Sequence, residues 1–103
     1  MKTAIASSGK DFNSQISDRA GRAPYFLIVE NGEVLEVVRN PFAFGGGGIG
    51  FAVAKMLSDM GVDRLIARNV GENMALALKE RGIKLIENEG SAKEAFVSAE
   101  DIT

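Results

Sequence analysis

The 103-residue sequence predicts a three-layer α/β fold, with five strands in one mixed sheet and three helices. Three observations predict it. In the second half, short apolar runs alternate with segments of helical period, the pattern of parallel strands joined by crossovers. In the first half, Asn31-Gly32 separates two β-branched runs, and Asn-Gly is the strongest short hairpin signal. Glycine or proline punctuates most of the junctions between these segments.

Each element follows in turn. Lys2 to Ser7 reads as a first strand around Ala4, Ile5 and Ala6. Ser8 to Arg22 is polar and reads as a long loop, a length that in compact domains often carries function. Tyr25 to Val29 and Val34 to Val38 are the two hairpin strands, antiparallel neighbours. Asn40-Pro41 stops the second of them, because proline cannot donate to a ladder and restrains the residue before it. Ile49, Ala52, Val53, Met56, Leu57 and Met60 then recur on one helical face, and Gly61 ends that helix. Arg64 to Ala67 is a fourth strand. A turn at Asn69-Val70-Gly71 opens a second helix through Met74, Ala77 and Leu78, which Gly82 ends. Ile83 to Ile86 is the last strand. Ser91-Ala92-Lys93-Glu94 matches a capping box and starts a third helix with Ala92, Ala95, Phe96 and Ala99 inward. Residues 1–103 are expected to form a single domain.

Composition removes several classes of function. The chain has no Cys, so it has no disulfide, thiolate nucleophile or thiolate metal site, and no His, which removes the commonest general base and the commonest metal ligand. A net charge of −2 offers no global field for nucleic acid. The apolar run at Met1 to Ala6 is too short for a signal peptide, and no stretch approaches a membrane span of ~18 apolar residues. The expectation is a cytoplasmic protein that engages neither nucleic acid nor membrane.

Strand direction gathers the unusual segments on one rim. The C-terminal ends of strands one, three, four and five share an edge, and ligands of open α/β sheets bind outside such ends. Ser7 and Ser8 end the first strand there, and Arg19 and Arg22 lie on the long loop. Arg39 and Asn40 end the third strand, ahead of the run Gly45, Gly46, Gly47, Gly48, Ile49, Gly50. Arg68, Asn69, Gly71 and Asn73 follow the fourth. Four consecutive glycines are costly to order, and just before a helix they let backbone N–H groups approach an anion closely. Together with the arginines they compose a candidate anion site.

No catalytic set accompanies it. Gly45, Gly47 and Gly50 match G-x-G-x-x-G only formally, because the preceding strand ends too early and Arg68 replaces the acid of a dinucleotide fold. Gly50-Phe51-Ala52 lacks the Gly-Lys-Ser/Thr of a P-loop. The first strand carries no carboxylate for a metal-dependent nuclease, and Ser7 and Ser8 have no His to activate them. Asp11 and Asp18 read as turn or capping residues, and Met56, Met60 and Met74 as core.

Several motifs, in order, resemble the dinitrogenase iron–molybdenum cofactor biosynthesis family, the NifX/NafY-like domain that is also similar to the C-terminal part of NifB. They are Ile5-Ala6-Ser7, Gly21-Arg22-Ala23-Pro24-Tyr25-Phe26, Asn40-Pro41 leading into the glycines, Asn69-Val70-Gly71-Glu72-Asn73, and Leu78 to Lys84. The resemblance covers nearly the whole chain. It implies a ribonuclease H-like fold with strand order 3-2-1-4-5. It implies a non-catalytic role in binding or carrying an iron–sulfur or iron–molybdenum cofactor precursor, with a cofactor-assembly protein as partner. Without Cys or His, such a cluster would be held as an anion by backbone N–H groups and arginines, with no metal-ligating side chain. The second reading is a protein–protein module or small regulatory domain without a cluster. It turns on Phe42 and Phe44, which either fold back to cap the core, the preferred expectation, or stand exposed as a partner surface.

Overall fold

In the computed structural model, which describes residues 1–102, the strands are β1 (Thr3–Ser7), β2 (Tyr25–Glu30), β3 (Glu33–Arg39), β4 (Arg64–Ala67) and β5 (Lys84–Glu87). The helices are α1 (Ile49–Asp59), α2 (Glu72–Glu80) and α3 (Ala92–Ile102), with a single 3-10 turn at Ala20–Arg22. Thr103, the last residue of the expected domain, lies outside the described residues. The sheet order is β3-β2-β1-β4-β5. β1 runs antiparallel to β2 and parallel to β4, and β4 runs parallel to β5. Both the α/β class and the expected strand order therefore hold.

Strand alternation divides the core into two layers, because successive side chains leave a strand on opposite faces. Ala4, Ala6, Phe26, Ile28, Leu65 and Ala67 face α1 and α2, meeting Val53, Leu57, Met74 and Leu78. Ile5, Leu27, Val29, Ile66 and Ile86 face the other way, toward Ala95, Phe96 and Ala99 of α3. The small residues on α3 bring it close to the sheet, and all of the expected inward positions are buried. Ser91 caps α3: its hydroxyl oxygen accepts the Glu94 N–H at 3.1 Å and its own proton goes to Glu94 Oε1 at 2.8 Å. The hairpin tip has the predicted left-handed pair, Asn31 at φ 54° and Gly32 at φ 78°.

Two polar anchors were not apparent from composition. Arg64 is 1% exposed and sits between the sheet and α3. Its Nε donates to Thr3 Oγ1 at 2.7 Å, its Nη2 meets Glu100 Oε1 at 3.1 Å, and its guanidinium lies over the Phe96 ring. A buried charge of this kind requires such partners. Asn40 is also buried. Its Nδ2 donates to the carbonyls of Gly21 and Ala23 at 3.0 and 2.9 Å, and its Oδ1 accepts the Phe42 N–H at 2.9 Å. Asn40 therefore ties the end of β3 to the long loop.

That loop is pinned along its length. Ser8 N–H bonds the Gln15 carbonyl, Ser17 N–H the Ala6 carbonyl and Ile16 N–H the Gly90 carbonyl, each at 2.9 Å. Ile16 is buried in the α3 layer, and Phe12 packs on Phe96. Asp11 makes the expected turn, its Oδ1 accepting the Asn13 N–H at 3.0 Å.

α1 approaches α2 closely at Gly50. A Cβ there would stand 2.8–2.9 Å from the N, Cα and Cβ atoms of Met74. Alanine in a helix gains up to ~1 kcal/mol over glycine, but here it would push against a backbone that must move. Gly50→Ala is expected to lower stability in urea denaturation by about 1–3 kcal/mol, the usual range for overpacking. Gly46→Ala, which has open space around the new methyl group, is expected to change it little.

Candidate functional site

The contact at Gly50 brings the N-termini of α1 and α2 side by side. Their caps are Gly48 and Gly71, and neither helix has a side-chain cap. The first i→i−4 bonds run from Ala52 to Gly48 and from Ala75 to Gly71. The N–H groups of Ile49, Gly50 and Phe51, and of Glu72, Asn73 and Met74, therefore lack intrahelical acceptors. Gly48 adopts φ 80°, a left-handed turn that swings the glycine run into α1. Both helix dipoles point their positive ends into the same space.

That space is an open groove of about 540 Å³. Gly46, Gly48, Ile49 and Gly50 form one wall, and Gly71, Glu72, Asn73 and Met74 the other. Arg19, Gly21, Arg22 and Asn69 complete it. Among the described residues, none gives the Arg19 guanidinium a hydrogen bond or an ion pair. Arg22 is engaged: its Nη1 donates to the carbonyls of Ala43 at 3.2 Å and Gly45 at 2.9 Å, which holds the glycine loop. Glu72 is the one carboxylate in the lining, against two guanidinium groups and two helix ends. A second cavity of about 390 Å³, lined in part by Ser8, Ser17 and Pro24, shares Arg19 and Arg22 with the groove.

The groove thus collects Arg19, Arg22, Gly46, Gly48, Gly50, Asn69, Gly71 and Asn73 of the residues expected to bind. Gly45 and Gly47 lie in the same loop but outside the lining. Ser7 is buried, its hydroxyl donating to the Gly9 carbonyl at 2.7 Å, and Ser8 faces only the second cavity. Asn40 is removed from ligand contact by its three hydrogen bonds to the chain. Arg68 is outside the lining and faces carboxylates instead, Asp18 at 3.3 Å and Glu89 at 3.8 Å. Arg39 stacks over the Tyr25 ring. The two phenylalanines divide: Phe42 packs against the core, whereas Phe44 is 99% exposed, contrary to the expectation that both fold back.

Gly21, Ile49, Glu72 and Met74 were not expected in the site. Gly21 lies in the loop, where an added Cβ would meet Ile49 Cγ2 at 3.2 Å. Met74 lies in the first turn of α2, where its N–H has no intrahelical acceptor, a donor that no side-chain pattern reveals. Glu72 had a visible signal, since it is the first residue of a helix whose cap was placed at the rim.

The donors available are N–H groups and guanidinium. Among the described residues no group of three or more His, Cys, Asp or Glu could hold a metal ion. The site therefore suits an anion whose own coordination is complete, and does not suit a bare metal ion. Among those residues, too, no helix is long and apolar enough to cross a membrane.

A family model described as dinitrogenase iron–molybdenum cofactor matches residues 1–100. The chain is similar to an uncharacterized protein of Methanocaldococcus jannaschii, 35% identical over 75 residues. That match covers 69% of this chain and 64% of the relative, less than two thirds of the relative's length. Among solved structures, a Thermotoga protein provisionally described as NifB and determined by NMR is 41% identical, with a TM-score of 0.82. The apo form of the orange protein from Desulfovibrio gigas is 27% identical, with a TM-score of 0.90. Each alignment covers 97% of this chain and 87% of the other.

Arg22 makes its own prediction. Arg22→Gln removes the guanidinium bonds to Ala43 and Gly45, with an expected loss of about 1–3 kcal/mol locally. Amide exchange should quicken at residues 43–48 while the central strands keep their protection, as read by hydrogen–deuterium exchange.

Proposed function

The chain belongs to the dinitrogenase iron–molybdenum cofactor family, and from that premise we propose that it is a non-catalytic binding or carrier protein for an anionic metal–sulfur cluster. The cargo is a precursor of the iron–sulfur or iron–molybdenum cofactor type, handed to or received from a cofactor-assembly protein in the cytoplasm. One observation carries this reading: two helix N-termini without side-chain caps, and an arginine with no partner among the described residues, converge on one groove. Backbone N–H groups at helix starts are ready anion donors, and the dipoles reinforce them. A cluster already saturated by its own sulfide or thiolate ligands needs only such outer contacts, which fits a chain without Cys or His.

A second reading, a protein–protein module without a cluster, is favoured by the exposure of Phe44. Exposed aromatic side chains serve as anchors at interfaces. The two readings separate cleanly, because Phe44→Ser should leave cluster affinity unchanged if the groove is the site.

The direct test is an anaerobic titration with a thiolate-capped iron–sulfur cluster dianion, followed by absorbance. Arg19→Gln is expected to weaken binding by about 1.5–3 kcal/mol, the value of a hydrogen bond to a charged group. Gly47→Val should keep the fold, since its new side chain enters open space, and should lower affinity by crowding the loop beside the groove. Equal affinity of wild type and Arg19→Gln would refute the site.

Binding should also weaken steadily as salt is raised, because the attraction is between exposed charges. A cluster fully retained at molar salt, or tightly bound iron that survives both chelation and gel filtration of the purified protein, would instead indicate side-chain ligation and contradict the proposal.

A further inference from the structure

We propose that Arg68 is a positioning residue for Arg19, acting through Asp18; the inference rests on the reading of the groove as an anion site. Among the described residues Arg19 is the groove's cation without a partner, and a side chain as long as arginine needs a fixed backbone to present its charge in one place. That backbone is held through the residue before it. Arg68 Nη1 meets Asp18 Oδ1 at 3.3 Å, and Asn69 Nδ2 donates to the Asp18 carbonyl at 2.6 Å. The Ser17 hydroxyl closes the same segment by donating to the Arg19 carbonyl at 3.3 Å. Arg68 extends from the end of β4, an interior strand buried at every position, so the anchor is attached to a fixed part of the sheet.

The pair also has an electrostatic role. Asp18 is 85% exposed and adjacent in sequence to Arg19. Without Arg68, its carboxylate would be released to pair with the neighbouring Arg19 guanidinium and would compete with an incoming anion for it. Arg68 engages that carboxylate and is itself engaged by Glu89 at 3.8 Å. Surface ion pairs contribute little to global stability, so the consequence of losing this one should appear in binding rather than in folding. Arg68 thus influences the ligand without touching it.

A double-mutant cycle tests this, using the full chain and the same thiolate-capped cluster dianion at fixed ionic strength. Arg19→Gln should raise the Kd about ten-fold or more. Arg68→Gln should raise it about three-fold to ten-fold, with an unchanged melting curve. The double variant should bind no more weakly than Arg19→Gln alone. Arg68→Lys, which keeps the charge facing Asp18, should recover most of the affinity. Additive losses would show that Arg68 contacts the anion itself, and wild-type affinity in Arg68→Gln would show that Asp18 needs no such anchor; either result overturns the inference while leaving the groove intact. Unchanged binding in Arg19→Gln would instead overturn the groove reading beneath it.

Discussion

The absence of a side chain at Gly50 is the constraint on which the rest of the rim depends. It lets the first turn of α1 lie directly against the backbone of Met74 in α2. Two helix starts are thereby placed together, each carrying roughly half a positive charge and open N–H groups. Such an arrangement is unfavourable in isolation, because like poles are adjacent. Water relieves it in the free protein, and an anion would relieve it better. The third helix makes the contrast: α3 begins on the opposite face of the sheet and carries its own serine cap. Where no ligand is proposed, the sequence provides a cap, and at the groove it provides glycine.

Four of the arginines have different roles, set by their neighbours rather than by their chemistry. Arg64 is a buried tie between sheet and helix. Arg22 holds the glycine loop through two carbonyls. Arg68 is engaged by two carboxylates at the rim. Arg19 alone faces the groove without a partner among the described residues. The planar fork of guanidinium, with donors at fixed angles, suits all four tasks.

Much of the fold was legible because it is written in local signals. Asn31-Gly32 dictates a hairpin twist, Ser91 and Glu94 announce a helix start, and the alternation of Ala4, Ile5 and Ala6 assigns each to a face. The rim that carries the candidate groove was legible for the same reason, since strand direction alone brings the loops to one edge. The division of labour within it was not. Asn40 and Arg68 have the residue types of ligand-binding groups, but their partners come from segments remote in sequence, Gly21 and Ala23 in one case and Asp18 in the other. Phe42 and Phe44 differ by two positions and have opposite fates, because one turn directs the first inward and the second outward. Such outcomes depend on tertiary placement, which no local pattern encodes.

The donor set at the paired helix starts has a kinetic consequence. A cluster held by cysteine thiolates leaves only when metal–sulfur bonds exchange, a step governed by nucleophilic attack and protonation. A cargo held by N–H groups and guanidinium would leave by breaking hydrogen bonds alone, with its inner coordination unaltered. Its residence time would then follow local charge and the opening of the glycine loop rather than any ligand-substitution rate. A receiving protein equipped with thiolates could draw such a cargo off irreversibly, so that the direction of transfer would be fixed by the difference between outer-sphere and covalent attachment.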